Sequence, residues 1–182
     1  MEKKMDRRAL RTRKNITDAF VQLLEEKRFD KITVAEIAEM ADINRRTFYL
    51  HYVDIFALLD ELENKLIIEL QDDFDNKPAE DLYSFQVQFL EFMNHHPSLI
   101  KALLASPESE FLSKVMRIAT EAHLIHREYD TDIERKYCWN YIEHGMKGVL
   151  LDWITNDSLP LTKMASFTTK LVQNSLSTVA AG

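Results

Sequence analysis

A chain of 182 residues with one cysteine, three glycines and four prolines has neither the cysteines for a disulfide framework nor the turn residues for a many-stranded sheet. Hydrophobic residues make up 46% and charged residues 29%, an ordinary globular balance, and no apolar run approaches the ~20 residues of a membrane span. The net charge of −7 is uneven: residues 1–52 hold 12 Lys/Arg against 9 Asp/Glu, whereas residues 53–182 hold 11 against 21. Within the first 14 residues there are 7 basic and 2 acidic side chains. A basic head on an acidic body is the footprint of a local anionic partner, although a solvated tail has the same composition. Lacking an apolar h-region near Met1 and carrying only Cys138, the chain is expected to be soluble and cytoplasmic, with no membrane partner.

The first predicted helix covers about residues 7–27, with Ile16, Phe20, Leu23 and Leu24 at helical spacing. "RFDKIT" follows as a connection. Thr33 and Glu36 have the spacing of a capping box, opening a second helix whose Val34, Ile37, Ala38 and Ala41 face inward. Asp42 stands where the chain must turn. Asn44 then suits the N-cap of a third helix, about 45–51. That helix carries Arg45 and Arg46 at its start, where the helix dipole disfavours cations, and then Tyr49 and His51. Asp54 can cap a long fourth helix through Phe56, Leu59, Leu62, Leu66, Ile67 and Leu70. This helix is read as the only long element reaching both halves of the chain.

The prolines at 78, 97, 107 and 160 are each read as lying at a helix start, where a missing N–H costs nothing. They divide the remainder into helices near 79–95, 97–105, 107–127, 132–155 and 160–178, with Thr131 and Glu134 as a further capping box. The fold class is therefore all-α, with about nine helices and neither repeats nor low-complexity segments. Helix 8 is apolar nearly all round (Tyr137, Trp139, Tyr141, Ile142, Met146, Val149, Leu150, Trp153, Ile154), so more than one side needs a cover. Gly145 and Gly148 let another helix approach it. Helix 9 has its own stripe in Leu161, Met164, Thr168, Leu171, Val172, Leu176 and Val179. Pattern alone allows either a monomer core closed by helix 9 or a bundle shared between two copies.

Six histidines raise a metal site, with His123 and His126 one turn apart and Glu143–His144 further on. No H-E-x-x-H run or Cys/His spacing supports it, and no metal or other cofactor is expected. Catalytic signatures are missing as well: there is no nucleophile elbow, P-loop or glycine-rich phosphate loop, so no enzyme is expected. Phe85, Phe89, Phe92, Met93, Phe111 and Met116 read as plain core or as the wall of a cavity for an apolar molecule.

Helix 2, a turn and helix 3 form a helix-turn-helix pattern, whose second helix is small enough for the DNA major groove. Arginine offers guanine a bidentate fork, asparagine can read adenine, and tyrosine and histidine can bond phosphates. An αα-hairpin with solvated arginines is the alternative. The residues "AFVQLLEEKRFDKITVAEIAEMADINRRTFYLHY" with "DIFALLDEL" resemble the N-terminal domain of TetR-family transcriptional regulators. Thr33-Val34, Ile37-Ala38, Ala41, Thr47-Phe48-Tyr49 and His51-Tyr52 match the family pattern in order and spacing. "GMKGVLLDW", residues 145–153, resembles the penultimate helix of one branch. Two positions depart from it: Asp42 replaces the usual turn glycine, and Ile55 stands where many members carry a phosphate-contacting lysine.

The resemblance implies a DNA-binding domain over residues 1–53, basic arm included, and an effector-binding and dimerisation domain over 54–182. It implies Thr33, Asn44, Arg45, Arg46, Thr47, Tyr49 and His51 as the DNA-binding set. Double-stranded DNA with a near-palindromic operator is the expected partner, bound by a homodimer joined through the last two helices. A small apolar or amphipathic effector is expected among Leu66, Phe89, Met93, Met116, His123 and Trp139, with His95 and His144 as further polar candidates. The expected function is a repressor released from its operator by that effector. The alternative is a co-regulator or activator controlled by a partner protein.

Overall fold

The computed structural model describes residues 7–125, 131–156 and 158–178. Among these the chain forms nine α-helices and one turn of 3-10 helix, with no strand. They are α1 (Arg7–Glu26), α2 (Val34–Met40), α3 (Arg45–Tyr49), α4 (Ile55–Asn76), α5 (Leu82–His95), α6 (Pro97–Ala105), α7 (Phe111–Glu121), α8 (Asp132–Asn156) and α9 (Leu161–Thr178). The 3-10 turn, Phe29–Lys31, occupies the segment expected as a plain connection, and it seats Phe29 edge-on against Phe20 and Phe56.

Helix starts separate into those set locally and those set from a distance. Asp54 accepts from the Ala57 amide at 2.8 Å and opens α4 as expected. Pro97 is the first residue of α6, and Pro160 directly precedes α9. Pro78 and Pro107, expected in first turns, lie outside any helix. The start of α5 is moved to Leu82 by a capping box between Asp81 and Ser84. The start of α7 is moved to Phe111 because the Glu63 carboxylate of α4 accepts from the Glu110 amide at 3.1 Å. The other Glu63 oxygen takes Lys114 Nζ at 2.9 Å, and Lys114 also reaches Asp60 at 2.6 Å. Burial lowers the Lys114 pKa while Asp60 and Glu63 raise it, and the balance is upward, so the ammonium stays charged. Removing one partner of such a buried pair costs about 3–5 kcal/mol. The pair rivets α4 to α7.

Helix α7 stops short of the expected 127 because His123 turns into the left-handed region at φ 56. There the Leu124 amide donates to Ala119 O at 3.0 Å, closing the helix end. His126 lies outside the described residues, as does Val179 of the helix 9 stripe.

One continuous cluster of buried residues runs from Ile16 in α1 to Val172 in α9. Phe20, Ile37 and Phe48 knit the first three helices together, and Leu58 and Leu59 carry the core into α4. In the body α5 packs on α9, α6 on α8 and α4 on α7. Helix α1 also packs on α6, so α4 is not the sole connection between the two halves. Only one stripe of α8 is buried, namely Cys138, Ile142, Met146, Leu150 and Trp153. Ile133, Tyr137 and Tyr141 stand 65–71% exposed on its outer side.

Candidate nucleic-acid interface

The helix-turn-helix is assembled from local hydrogen bonds. The Thr33 hydroxyl donates to Glu36 Oε2 at 2.8 Å and accepts from the Glu36 amide at 3.3 Å, and the Thr33 amide donates to the same carboxylate at 3.0 Å. Thr33 is thereby engaged in starting α2. Between the helices Asp42 takes φ 53, and the Ile43 amide donates to Ala38 O at 2.9 Å. Aspartate tolerates the left-handed region better than most residues, so it serves where glycine is usual, at some cost. Asn44 Oδ1 accepts from the Thr47 amide at 2.8 Å and from the Thr47 hydroxyl at 3.2 Å, capping α3. The carboxamide oxygen is used inside the protein, on a residue that is itself exposed.

Phe48, fully buried, fixes how α3 rolls against the core. With about 100° per residue, Arg46 and Leu50 lie about 160° and 200° around from Phe48, straddling the outermost line of the helix. Arg45 and Tyr49 lie on one flank at about 60° and 100°. Arg45, Arg46, Tyr49 and Leu50 are exposed, while Thr47 and His51 are half-buried. Neither arginine has a hydrogen bond or ion pair among the described residues. Two exposed guanidinium groups on a capped helix, one on its outer face and one on a flank, can address anions and base edges.

Behind α3, a latch holds the head on the long helix. The Tyr52 hydroxyl donates to Glu61 Oε1 at 3.1 Å, Arg13 Nε donates to the same atom at 3.1 Å, and a second Arg13 nitrogen bonds Glu61 Oε2. Arg13 also stacks over the Tyr52 ring, 5.0 Å from its centroid. The Arg13 guanidinium, then Lys65 and the Tyr52 hydroxyl, hold the Glu61 carboxyl down at about 2 despite its partial burial. Arg13 counts toward the basic arm in sequence, yet it is spent internally. Residues 1–6 of that arm lie outside the described residues.

Comparison with known proteins agrees with this geometry. The family model for "Bacterial regulatory proteins, tetR family" matches residues 16–62, from within α1 to the first turns of α4. Over this span the chain resembles the N-terminal DNA-binding domain of TetR-family regulators. It is 36% identical over 121 residues to the HTH-type transcriptional regulator EthR of Mycolicibacterium smegmatis, covering 59% of this chain and 56% of that protein. It is 28% identical over 160 residues to the HTH-type transcriptional regulator YxbF of Bacillus subtilis, covering 82% of this chain and 41% of that protein. The chain spans about half the length of the curated relatives it matches. A TetR transcriptional regulator from Rhodococcus sp. RHA1 shares the fold with a TM-score of 0.59 at 16% identity, over 92% of this chain and 97% of that one.

The helical body contains the other expected residues, but not in one place. Leu66, Phe89 and Met93 are buried core. Phe89 and Met116 border a small void of 20 Å³, together with Leu112, Ile142 and Val172. Gln86 also borders it, and its buried Oε1 has no hydrogen-bond partner among the described residues. Trp139 is half-buried and shares with Met116 a separate groove on the outside of α7 and α8. His123 is exposed at the end of α7, His95 is exposed, and His144 is exposed and bonded to Asn140 O at 2.8 Å. Among the described residues no group of His, Cys, Asp or Glu is arranged to hold a metal. No described helix is long and apolar enough to cross a membrane.

Sequence reading missed the latch, Leu50 and Gln86. Tyr52 was visible as a motif residue and Glu61–Lys65 as an i,i+4 pair, but nothing local joins Arg13 to Glu61 across 48 residues. Leu50 did carry a signal, being apolar on the polar side of a short helix.

Proposed function

We propose that the chain is a dimeric, DNA-binding transcriptional regulator that represses from a near-palindromic operator and leaves it when a small apolar or amphipathic effector binds. One observation carries the DNA-binding part: the two exposed guanidinium groups of a capped α3, unpaired among the described residues, with Arg46 opposite the core. Residues 1–53 act as the DNA-binding domain and 54–182 as the effector and dimerisation domain. In this reading Arg46 reads bases. Arg45, Tyr49, His51 and the Asn44 amide meet the backbone, while Thr33 and Thr47 act through the helix starts they hold. The regulator names of EthR and YxbF support the same reading.

Dimerisation through α8 and α9 is supported by an apolar groove of 310 Å³ lined by Tyr141, Gly145, Val149 and Leu171. A Cβ built on Gly145 or Gly148 meets nothing within 4 Å, so these glycines are not needed for packing inside the protomer. They suit the close approach of a second helix. The effector would enter at the void beside Gln86, whose unpaired Oε1 calls for a hydrogen-bond donor on an otherwise apolar molecule.

The void's small size favours a second reading, in which a partner protein supplies the control. A ligand would have to open the bundle, since 20 Å³ has room for about one water. Titration of a fluorescent duplex over a salt series tests the common core of both readings. Phosphate neutralisation makes log affinity fall linearly with log salt, and a chain showing no such slope is not a DNA-binding protein. A thermal-shift screen of apolar compounds carrying a donor group, run on the wild type and on Gln86→Leu, separates the two. Loss of a compound's shift in the variant supports an effector at that void.

A further inference from the structure

Leu50 is 77% exposed, among the most exposed apolar side chains described. It is the C-cap of α3 and keeps helical geometry, with φ −76 and ψ −19, so the helical wheel applies to it. It shares the outermost line of α3 with Arg46, one turn away and about 40° around. A leucine there does nothing for the core, which Phe48 serves from the opposite side. Exposed apolar area of this kind is unfavourable in water and gains from a nonpolar partner. The major groove offers one nonpolar group to side chains lying on its floor, the C5 methyl of thymine. We propose that Leu50 is a base-reading residue that packs on a thymine methyl next to the base pair addressed by Arg46.

The inference rests on the reading of α3 as the recognition helix. It adds a specificity that the polar residues do not provide. Arg46 distinguishes guanine through O6 and N7, and Leu50 distinguishes thymine from cytosine and uracil. Val53 is the neighbouring candidate, 79% exposed, but it lies beyond α3 in the turn before α4 and has no fixed place on the α3 wheel.

The experiment uses the full chain and duplexes enriched from a random-sequence pool. Each thymine of the enriched half-site is replaced in turn by deoxyuridine, which removes the methyl and leaves base pairing intact. Affinities are measured for the wild type, Leu50→Ala and Val53→Ala. The wild type should lose affinity at one symmetric thymine position, by about fourfold per half-site. Leu50→Ala should bind the thymine and deoxyuridine duplexes equally, and Val53→Ala should behave as wild type. Thermal melting of Leu50→Ala should match the wild type, since the side chain packs on little. Enrichment with no deoxyuridine-sensitive position, or with sensitivity that persists in Leu50→Ala, overturns the assignment while leaving DNA binding intact. Failure of the chain to enrich any duplex overturns the DNA-binding reading, and this inference with it.

Discussion

Arg45 and Arg46 are adjacent in sequence and unlike in position, because Phe48 fixes the roll of the helix they share. Arg46 lies opposite the core and Arg45 on a flank, so their substitutions should separate. Arg46→Ala should cost about 1–3 kcal/mol on an enriched operator and little on a scrambled duplex, whereas Arg45→Ala should weaken both alike. Anisotropy titrations of the two variants against the two duplexes give the comparison, and equal losses in both variants would refute the division of labour. Asp42 makes a second residue-scale case. Its φ of 53 is a conformation that glycine adopts freely. Asp42→Gly should therefore raise stability by about 0.5–1 kcal/mol, read as a higher denaturation midpoint. A lower midpoint would mean that the aspartate side chain contributes more than its backbone costs.

At the scale of elements, what could be read from sequence was what is decided within about one helical turn. Thr33, Asn44, Asp54 and Thr131 each cap a helix three residues on, and all four caps are present as expected. The start of α7 was not legible, because the carboxylate that sets it belongs to Glu63, 47 residues earlier. The same holds for the latch, whose members come from α1, the end of the helix-turn-helix and α4. The α3 surface was legible as a set of unusual residues, but its orientation required Phe48 to be placed in the core. The latch gives a pH dependence. Glu61 falls from its ordinary value of 4.5 to about 2 in the folded protein, so folding opposes its protonation. Its stabilisation is complete above about pH 4.5 and is lost as the pH falls towards about 2. Glu61→Gln should lower stability at neutral pH by about 1–3 kcal/mol and flatten this acid limb of the stability curve. An unchanged limb in the variant would assign the acid sensitivity to other carboxylates.

Across the whole molecule, the head is tied to the body twice, by α4 running through both and by α1 lying on α6. A crevice of 360 Å³ lies beside the second tie, bordered by Lys27 and Arg28 on the head side and Ser98 and Lys101 on α6. Any rotation of the heads must therefore shear α1 against α6 as well as bend α4. In the proposed dimer, two such heads can meet successive major grooves only if the bodies are held at a fixed separation, which would make the dimer contact a condition of operator binding. Deleting α9 cannot test that contact, because its inner face (Met164, Ala165, Thr168, Val172) covers α5 and its loss would unfold the protomer. A substitution on the outer face can. Gly145 has open space around its Cβ position, and glycine inside a helix is worth about 1 kcal/mol less than a good helix former. Gly145→Arg should therefore leave each protomer folded, with its helical circular dichroism intact. Packed against a second copy of α8, however, the arginine would force the two helices apart. Sedimentation should then report a monomer, and operator affinity should fall to the level of a single half-site. A variant that remains dimeric and binds the full operator normally would place the contact away from Gly145.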